Sequence, residues 1–515
     1  LNLIRELTLL NLSERMKTNN YFFDVDKLSF GSGMYKAYFN SIKEYYGSKY
    51  YEKFINVLCC LALSDCALSL EELSILSGNN NLNFAFLGFI NSMKMFLDTV
   101  RDDRGTLFTI SHADKREIII TTFTTEIESL KKQIIERIKT VTNTSFSYET
   151  PEDYIYYSCV NSIVNDFKNV EPDRSVAQEL FVSMLSLPLN LSWAQSRKQT
   201  ISQLKVFNNV MLFEKFDFDL STDEKLAYFK ILTHVAFNEM LLKNVFLSEH
   251  HFRKAIDFYK RAQFEPTNFI QKEYAETLSL YATLLWDTGN DEEAYKLYEE
   301  VIDIKKALNK VDKNIVSDID LLSEYVCLSN IANTAALYNE QIEILNKVND
   351  EIKECQSSEK KQRTIPFMNA SYFNYYSSIN DPEKAIIHVK KAINQYEECS
   401  RNPKSLMYIP DLVKYIYQYI NYLWRNNISV DNFEDELQYF ESVIAYLQQY
   451  RNYDDPYSYM RYLLSLYKYY INVNNIEKNE YYKSKLFDYY YHLDDKFKED
   501  ERLFKIIEII KKEEQ

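Results

Sequence analysis

The chain is poor in glycine, and its few glycines are unevenly placed. Of the seven glycines in 515 residues, six lie within the first 105 positions and only Gly289 follows. A long stretch with one glycine has few places for tight turns with positive φ, phosphate-binding loops or β-hairpins. We therefore expect the residues after Gly105 to form stacked helices joined by polar connections.

Motifs that carry common catalytic chemistry are also missing. The sequence contains no GxxxxGK[ST] phosphate loop, no HExxH pair and no GxSxG nucleophile elbow. Its seven cysteines are odd in number and include no CxxC pair, so we interpret them as buried small apolar residues. The adjacent His250 and His251 lie on different faces of a helix and cannot both chelate one metal from it. We expect neither a catalytic site nor a metal site in this chain.

The chain lacks both a long apolar run and an excess of positive charge. The longest apolar run, Val57 to Leu63, is far shorter than the roughly 20 residues of a membrane span, and no signal-peptide pattern opens the sequence. A formal net charge of −15 opposes general affinity for nucleic acid, because phosphates are bound by clustered lysine and arginine. We expect a cytoplasmic protein with a protein partner, and no direct contact with nucleic acid or membrane. Since the first residue is Leu1, we also expect that an upstream segment has been removed.

The first 120 residues predict three helices followed by a β-hairpin. An apolar helix covers Tyr50 to Leu63, and Ser69-Leu-Glu-Glu72 forms a capping box that starts the second helix. A third helix covers Asn83 to Met95, and Gly105 allows the turn between two short strands. This order is typical of a winged-helix domain.

The third of these helices would contact the major groove in a DNA-binding winged helix. Its sequence, NFAFLGFINSMKM, is apolar and has Lys94 as its only charge. We expect this helix to pack within the protein and not to bind DNA.

One histidine stands where the second strand of the hairpin meets the next helix. The segment TLFTISHADKREII, residues 106–119, places His112 between an apolar strand and a charged helix start. One interpretation is a capping or partly buried structural histidine. The other is a phosphate ligand, because an imidazole can donate a hydrogen bond to a phosphate oxygen.

Several of these features together resemble a known family. The Gly33-Met34 and Tyr38-Phe39 stretch, the capped winged helix, and the junction of His112 with Arg116-Glu117 resemble the region after the nucleotide-binding core of STAND ATPases of the NACHT or NB-ARC type. The resemblance implies that His112 contacts the phosphate of bound ADP. It also implies that ATP, ADP and Mg²⁺ bind an upstream core of an intact parent ATPase, which carries a separate effector domain.

Helical periodicity dominates the sequence after the winged helix, for example from Ile127 to Val141. A small residue followed by packing residues four and seven positions later recurs at four places, beginning at Ala255, Ala294, Ala335 and Ala385. This pattern is typical of the second helix of a tetratricopeptide (TPR) unit. Gly289 is predicted to end a first helix, and Asp291 to cap the second helix that follows.

These patterns predict a mainly α protein, with a winged-helix domain followed by an α-solenoid of TPR-like helical hairpins. The predicted domains are a helical segment at 1–49, the winged helix at 50–122, a helical connector at 123–240 and the repeat sensor domain at 241–515. A stack of such repeats exposes a long surface that commonly holds a protein or peptide.

Tyrosine is the candidate contact residue on the repeats, because it combines a large apolar area with one hydrogen-bonding group. The chain has 43 tyrosines. The candidate contacts are Tyr372, Tyr375, Tyr376, Tyr408, Tyr415, Tyr422 and position 418, a glutamine (Gln418) within the same tyrosine-rich segment. Many tyrosines fall at helical spacing, so core packing is the alternative for each of them.

Within the STAND ATPases, the resemblance is to the bacterial Avs antiphage proteins. It implies that the repeats bind a phage protein, such as the terminase large subunit or portal. Binding would trigger ATP-dependent oligomerisation and activate an N-terminal effector that is missing from this chain. Two other functions remain open: a MalT-like transcription regulator whose repeats bind an inducer, and a constitutive protein-interaction scaffold.

Overall fold

Helices form most of the computed structural model, as the sequence predicts. The structure describes residues 47–64, 66–76, 96–102, 105–141, 158–167, 174–187, 197–356, 358–401, 409–450, 455–493 and 501–513, with a few single positions elsewhere. Two units are distinguished by their internal contacts. Unit 1 comprises residues 1–191 and 195–262, and unit 2 comprises residues 192–194 and 263–515.

Unit 1 begins with helices and a small antiparallel sheet. The elements in order are α1 (Ser48–Leu63), β1 (Leu68–Ser69), α2 (Leu70–Leu76), β2 (Leu97–Asp102), β3 (Gly105–Ile110) and α3 (Ala113–Thr122). The strand order is β1-β3-β2, and the hairpin closes where Asp102 pairs with Gly105. The predicted hairpin is confirmed. The predicted third helix and the Gly33 to Phe39 stretch fall largely outside the described residues.

The predicted capping box at the start of α2 is confirmed. The backbone N–H of Ser69 donates to Glu72 Oε2 at 2.6 Å, and the N–H of Glu72 donates to Ser69 Oγ at 3.2 Å. These two bonds satisfy amide groups that a helix start leaves without partners. The local sequence therefore fixes where α2 begins.

The remaining described elements of unit 1 are helices. The elements are α4 (Thr124–Val141), α5 (Val160–Phe167), α6 (Arg174–Leu185), α7 (Arg197–Met211), a 3₁₀-helix (Leu212–Phe216), α8 (Thr222–Leu241) and α9 (Val245–Ala262). Ile127, Leu130, Ile134 and Ile138 are buried on one face of α4, as their spacing predicts. Within the described residues, no helix combines the length and apolar character needed to span a membrane.

The described residues of unit 2 form five helical hairpins and a further helix after them. The hairpins are α10 (Asn268–Asp287) with α11 (Asp291–Val311), α12 (Asp318–Thr334) with α13 (Tyr338–Glu354), α14 (Glu359–Ser378) with α15 (Pro382–Ser400), α16 (Ile409–Arg425) with α17 (Phe433–Tyr450), and α18 (Pro456–Asn472) with α19 (Ile476–His492). The final helix is α20 (Glu501–Glu513). This arrangement is the α-solenoid of TPR-like hairpins that the sequence predicts.

In unit 2, one residue in the left-handed conformation stands two positions after the last residue of each hairpin's first helix, and a further one, Asn432, directly precedes α17. The five that follow a first helix are Gly289, Ala336, Asn380, Asn427 and Asn474, with φ between 51° and 81°. The residue after each of these five donates its N–H to the carbonyl five positions earlier, at 2.8–3.0 Å. This is the Schellman arrangement, which satisfies carbonyls at a helix end. Asparagine tolerates the left-handed conformation and takes this position in three of the turns, whereas the turn after α12 uses Ala336.

Two of the four predicted repeat copies need correction. Ala294 and Ala385 are buried at the fourth residue of α11 and α15, but Ala255 is the eleventh residue of α9, and Ala335 follows the last residue of α12. The equivalent fourth residues are Ser248 and Gln341, which are both buried. The repeat length follows from where the second helices of consecutive hairpins begin. These starts are 46, 47, 44, 51 and 43 residues apart for α9, α11, α13, α15, α17 and α19. They replace the repeat lengths given by the positions of the four predicted alanines. The predicted cap at Asp291 is also displaced, because α11 starts there and its N-cap is Asn290.

Candidate protein-binding surface

The five turns of unit 2 define equivalent positions on the first helix of every hairpin. Six residues before the left-handed residue stand Thr283, Asn330, Asn374, Asn421 and Lys468. Three of these five residues are asparagine. Because the turn geometry is the same in each hairpin, these side chains mark one row across the repeats.

Two further rows accompany the first. Three residues before the left-handed residue stand Trp286, Asn333, Ser377, Trp424 and Ile471, and two residues before it stand Asp287, Thr334, Ser378, Arg425 and Asn472. Positions three and four apart share a helix face, so the three rows form one surface, which we name the first-helix stripe. Every residue in the third row is exposed. The stripe therefore reaches solvent along its whole length.

Hydrogen bonds connect the stripe across the first three hairpins. Asn374 Nδ2 donates to Asn330 Oδ1 at 3.1 Å, and Asn333 Nδ2 donates to Ser378 Oγ at 3.1 Å. At the first hairpin, Trp286 Nε1 donates to Thr334 Oγ1 at 3.0 Å. These bonds hold the first helices α10, α12 and α14 in register, so this part of the stripe is preformed.

The last two hairpins connect through the same rows. Asn472 Nδ2 donates to the carbonyl of Trp424 at 2.7 Å and to Asn427 Oδ1 at 3.0 Å. The ammonium group of Lys468 lies 4.7 Å from the centre of the Trp424 ring. A cation over an indole face is a favourable electrostatic contact. It fixes the orientation of a half-buried tryptophan.

The charge of the stripe changes along the repeats. Its first hairpin carries exposed Asp287, whereas its last two hairpins carry exposed Arg425 and half-buried Lys468. Two turns before Lys468 on α18, the guanidinium of Arg461 lies 5.6 Å from the centre of the Tyr417 ring. In a chain with a net charge of −15, this basic end has the opposite sign to the protein as a whole.

The structure places Tyr372, Tyr375 and Tyr376 on α14. Tyr372 is buried, its hydroxyl donates to Asn346 Oδ1 at 3.0 Å, and its ring centre lies 4.7 Å from that of His388. Burial raises the pKa of Tyr372 to about 12 and lowers that of His388 to about 4. Tyr375 and Tyr376 are half-buried. Tyr376 also stacks on His388, with ring centres 5.4 Å apart, so Tyr372 and Tyr376 both pack against α15.

The candidate contact tyrosines on α16 are more buried than Tyr375 and Tyr376 on α14. Tyr415 is buried and stacks on Tyr396 with ring centres 5.5 Å apart, and Tyr422 is buried against Phe373. Gln418 is half-buried, and Tyr408 lies outside the described residues. Tyr415 and Tyr422 have little exposed surface to offer a partner in this conformation. The contact role of all these residues stays a prediction.

His112 lies between β3 and α3, as the sequence predicts. It is the N-cap residue of α3, its backbone is extended, and its side chain is exposed and caps no backbone group. Arg116 Nη2 donates to the carbonyl of Ser64 at 2.9 Å, which ties the first turn of α3 to the end of α1. The imidazole is therefore held at an anchored helix start and is open to solvent. Its contact with nucleotide stays a prediction.

Three solved structures resemble this chain, whereas comparison of the sequence found no match. No protein-family model and no curated protein matches the sequence. A STAND protein with a tetratricopeptide repeat sensor from Pyrococcus horikoshii is 14% identical over 94% of this chain and 72% of its own, with a TM-score of 0.38. A Rap protein complexed with competence and sporulation factor is 10% identical over 70% and 87%, with a TM-score of 0.37. The human IFIT1 dimer with m7Gppp-AAAA is 11% identical over 85% and 93%, with a TM-score of 0.23.

Proposed function

We propose that this chain is the target-recognition portion of a STAND ATPase switch. In this proposal the first-helix stripe binds a protein partner, which is a phage protein such as the terminase large subunit or portal. Binding leads to ATP-dependent oligomerisation and to activation of an effector that precedes these residues. The STAND class and the phage target come from the sequence resemblance. The binding surface comes from the geometry of unit 2.

The observation that carries the recognition role is the recurrence of polar and tryptophan side chains on one surface. The buried fourth position of the second helix has a small apolar residue in two hairpins, Ala294 and Ala385, which are fully buried. The stripe instead has Trp286 and Trp424 at equivalent positions, and both are half-buried. Tryptophan surrounded by polar groups is typical of protein-binding surfaces. The stripe therefore suits a protein partner better than a small apolar ligand.

The charge of the stripe indicates which part of the partner lies at its end. Arg425 and Lys468 lie beside Trp424 on the last two hairpins, so this region attracts an acidic segment with an apolar side chain for the tryptophan. Arg461 extends the positive surface toward the start of α18. We propose an acidic segment of the partner at this end of unit 2.

Charge reversal at the basic end provides a test of partner binding. The Arg425→Glu/Lys468→Glu variant is expected to bind the purified terminase large subunit or portal at least tenfold more weakly, because it replaces two attractive contacts with repulsive ones. Affinity would be measured by calorimetry at two salt concentrations. The matched control is Lys296→Glu/Lys310→Glu, which reverses two exposed charges on α11 and should bind as the wild type does.

Equal affinity of the Arg425→Glu/Lys468→Glu variant and the wild type would exclude the stripe as the binding surface. A pull-down in which no phage structural protein is recovered, while host proteins bind with micromolar affinity, would exclude the phage target.

Testing whether His112 contacts nucleotide distinguishes a STAND ATPase switch from a constitutive scaffold. In the intact parent protein, His112→Ala is expected to weaken binding of labelled ADP roughly tenfold, since a charge-assisted hydrogen bond to phosphate contributes about 1.5–3 kcal/mol. Asp114→Ala, also exposed in the first turn of α3, is the control for non-specific effects on this junction. Equal ADP affinity for His112→Ala and the wild type would remove the sensor role.

A further inference from the structure

Unit 1 contains a cavity that has no part in the proposed recognition of a protein by unit 2. Its volume is about 450 Å³, and α6, the 3₁₀-helix, α8 and α9 contribute to its wall. Exposed Asp217 and Arg261 belong to its lining, so the cavity opens to solvent. Small-molecule sites in proteins commonly have volumes of roughly 300–1,000 Å³.

Aromatic rings form much of the cavity wall. The lining includes Phe181, Phe213, Phe218, Tyr228 and Phe258. Phe181 is central to this group, with ring centres 5.4 Å from Phe213 and 5.7 Å from Tyr228, and Tyr228 lies 5.1 Å from Phe258 in an edge-to-face contact. Such a wall offers ring faces and ring edges to a planar ligand.

One carboxylate of the lining is already neutralised within the protein. Glu214 accepts a hydrogen bond from the hydroxyl of Tyr228 and pairs with Lys254, whose Nζ lies 2.5 Å from Glu214 Oε2. Burial and this carboxylate together raise the pKa of Tyr228, which keeps its hydroxyl protonated as a donor. Glu214 therefore adds little negative charge to the cavity.

Two cations of the lining remain available to a ligand. Arg261 uses Nε to donate to the carbonyl of Asp257 at 3.3 Å, which leaves its terminal amino groups for other contacts. Within the described residues, neither Lys225 nor Arg261 forms an ion pair. The lining holds three cations, Lys225, Lys254 and Arg261, against the carboxylates of Glu214 and Asp217. The cavity is thus aromatic and positively charged in a strongly acidic protein.

We propose that this cavity binds a small aromatic anion. The rings of the wall contact the planar part of the ligand, and Lys225 and Arg261 bind its carboxylate, sulfonate or phosphate group. A neutral aromatic molecule would gain the ring contacts alone. A non-aromatic anion would gain the charge contacts alone.

Two probes that differ by one anionic group test this site. The anion is 8-anilinonaphthalene-1-sulfonate, and the neutral analogue is N-phenyl-1-naphthylamine. Fluorescence titration should show tighter binding of the anion to the full chain, and calorimetry should give one anion per chain. The Lys225→Gln/Arg261→Gln variant should bind the anion at least tenfold more weakly and the neutral probe within twofold of the wild type.

The control is Arg253→Gln/Lys260→Gln, which removes two exposed cations of α9 that do not line the cavity. This variant should bind both probes as the wild type does, and thermal unfolding should show that both double variants fold. Equal affinity of the wild type for the two probes would overturn the proposal. So would unchanged anion binding by Lys225→Gln/Arg261→Gln, or anion binding at several sites per chain.

Discussion

Lys305→Ala is expected to destabilise the protein by about 3–5 kcal/mol, because it leaves the Glu324 carboxylate, whose side chain is 16% exposed, without its cation. Lys305 is 7% exposed and pairs with Glu324 across α11 and α12. The same carboxylate lies 3.4 Å from Ser279 Oγ on α10, and that hydroxyl lies 2.9 Å from the hydroxyl of Tyr298. One polar cluster therefore joins three consecutive helices. Urea denaturation followed by circular dichroism would measure the loss.

Removing both charges distinguishes two contributions to the free energy of unfolding: the destabilisation by an unpaired charge and the stabilisation by the ion pair. Lys305→Met/Glu324→Leu replaces the two groups with apolar residues of similar volume and is expected to recover most of the lost stability. Lys313→Ala breaks the exposed pair with Asp318 and should cost less than about 1 kcal/mol. A double variant as unstable as Lys305→Ala would show that the ion pair itself stabilises the repeats.

The general architecture could be predicted from local signals in the sequence. The capping box at Ser69 and Glu72 and the pairing of Asp102 with Gly105 are both short-range features, because each joins positions three apart in the sequence. The scarcity of glycine after position 105 predicts helices, because it leaves few places for tight turns with positive φ. The solenoid follows from many such local preferences acting together.

The repeat register could not be predicted in the same way, because its key residues do not match the consensus pattern. The turn after α12 uses Ala336 in the left-handed conformation, and a polar residue, Gln341, occupies the buried fourth position of α13. Gln341 is accommodated because Asn333 Nδ2 donates to its side-chain oxygen at 2.8 Å and its own amide donates to the carbonyl of Ser371 at 3.3 Å. These partners lie on α12 and α14, so the pattern within one helix does not reveal them.

The first-helix stripe was missed for a related reason. Its members are equivalent only when counted back from the left-handed residue of each turn, and four of those five residues are not glycine. Tyrosine clusters are more conspicuous in the sequence, because the chain has 43 tyrosines. A search for asparagine six positions before Asn380 and Asn427 finds Asn374 and Asn421. This recurrence of asparagine is visible in the sequence, but it identifies a common surface only when the positions of the turns are known.

Tyrosines of the repeats differ in role, and Tyr419 is expected to be among the most important for stability. Its side chain is fully buried, its hydroxyl donates to Glu436 Oε2 at 2.8 Å, and its ring meets Phe440 edge to face with centres 6.1 Å apart. Tyr419→Ala is expected to lower the free energy of unfolding by about 3–5 kcal/mol through the cavity it leaves. Tyr419→Phe keeps the ring and should cost about 1–2 kcal/mol for the lost hydrogen bond.

Tyr375 is the matched comparison, because it is half-buried and its observed contact is an edge-to-face packing on Tyr376. Tyr375→Ala is expected to change the free energy of unfolding by less than about 1 kcal/mol, as measured by urea denaturation beside the Tyr419 variants. A loss as large as that of Tyr419→Ala would place Tyr375 in the core and remove it from the contact candidates. Unchanged stability with weaker partner binding would instead identify Tyr375 as a contact residue, because a core role and a contact role predict opposite effects on these two measurements.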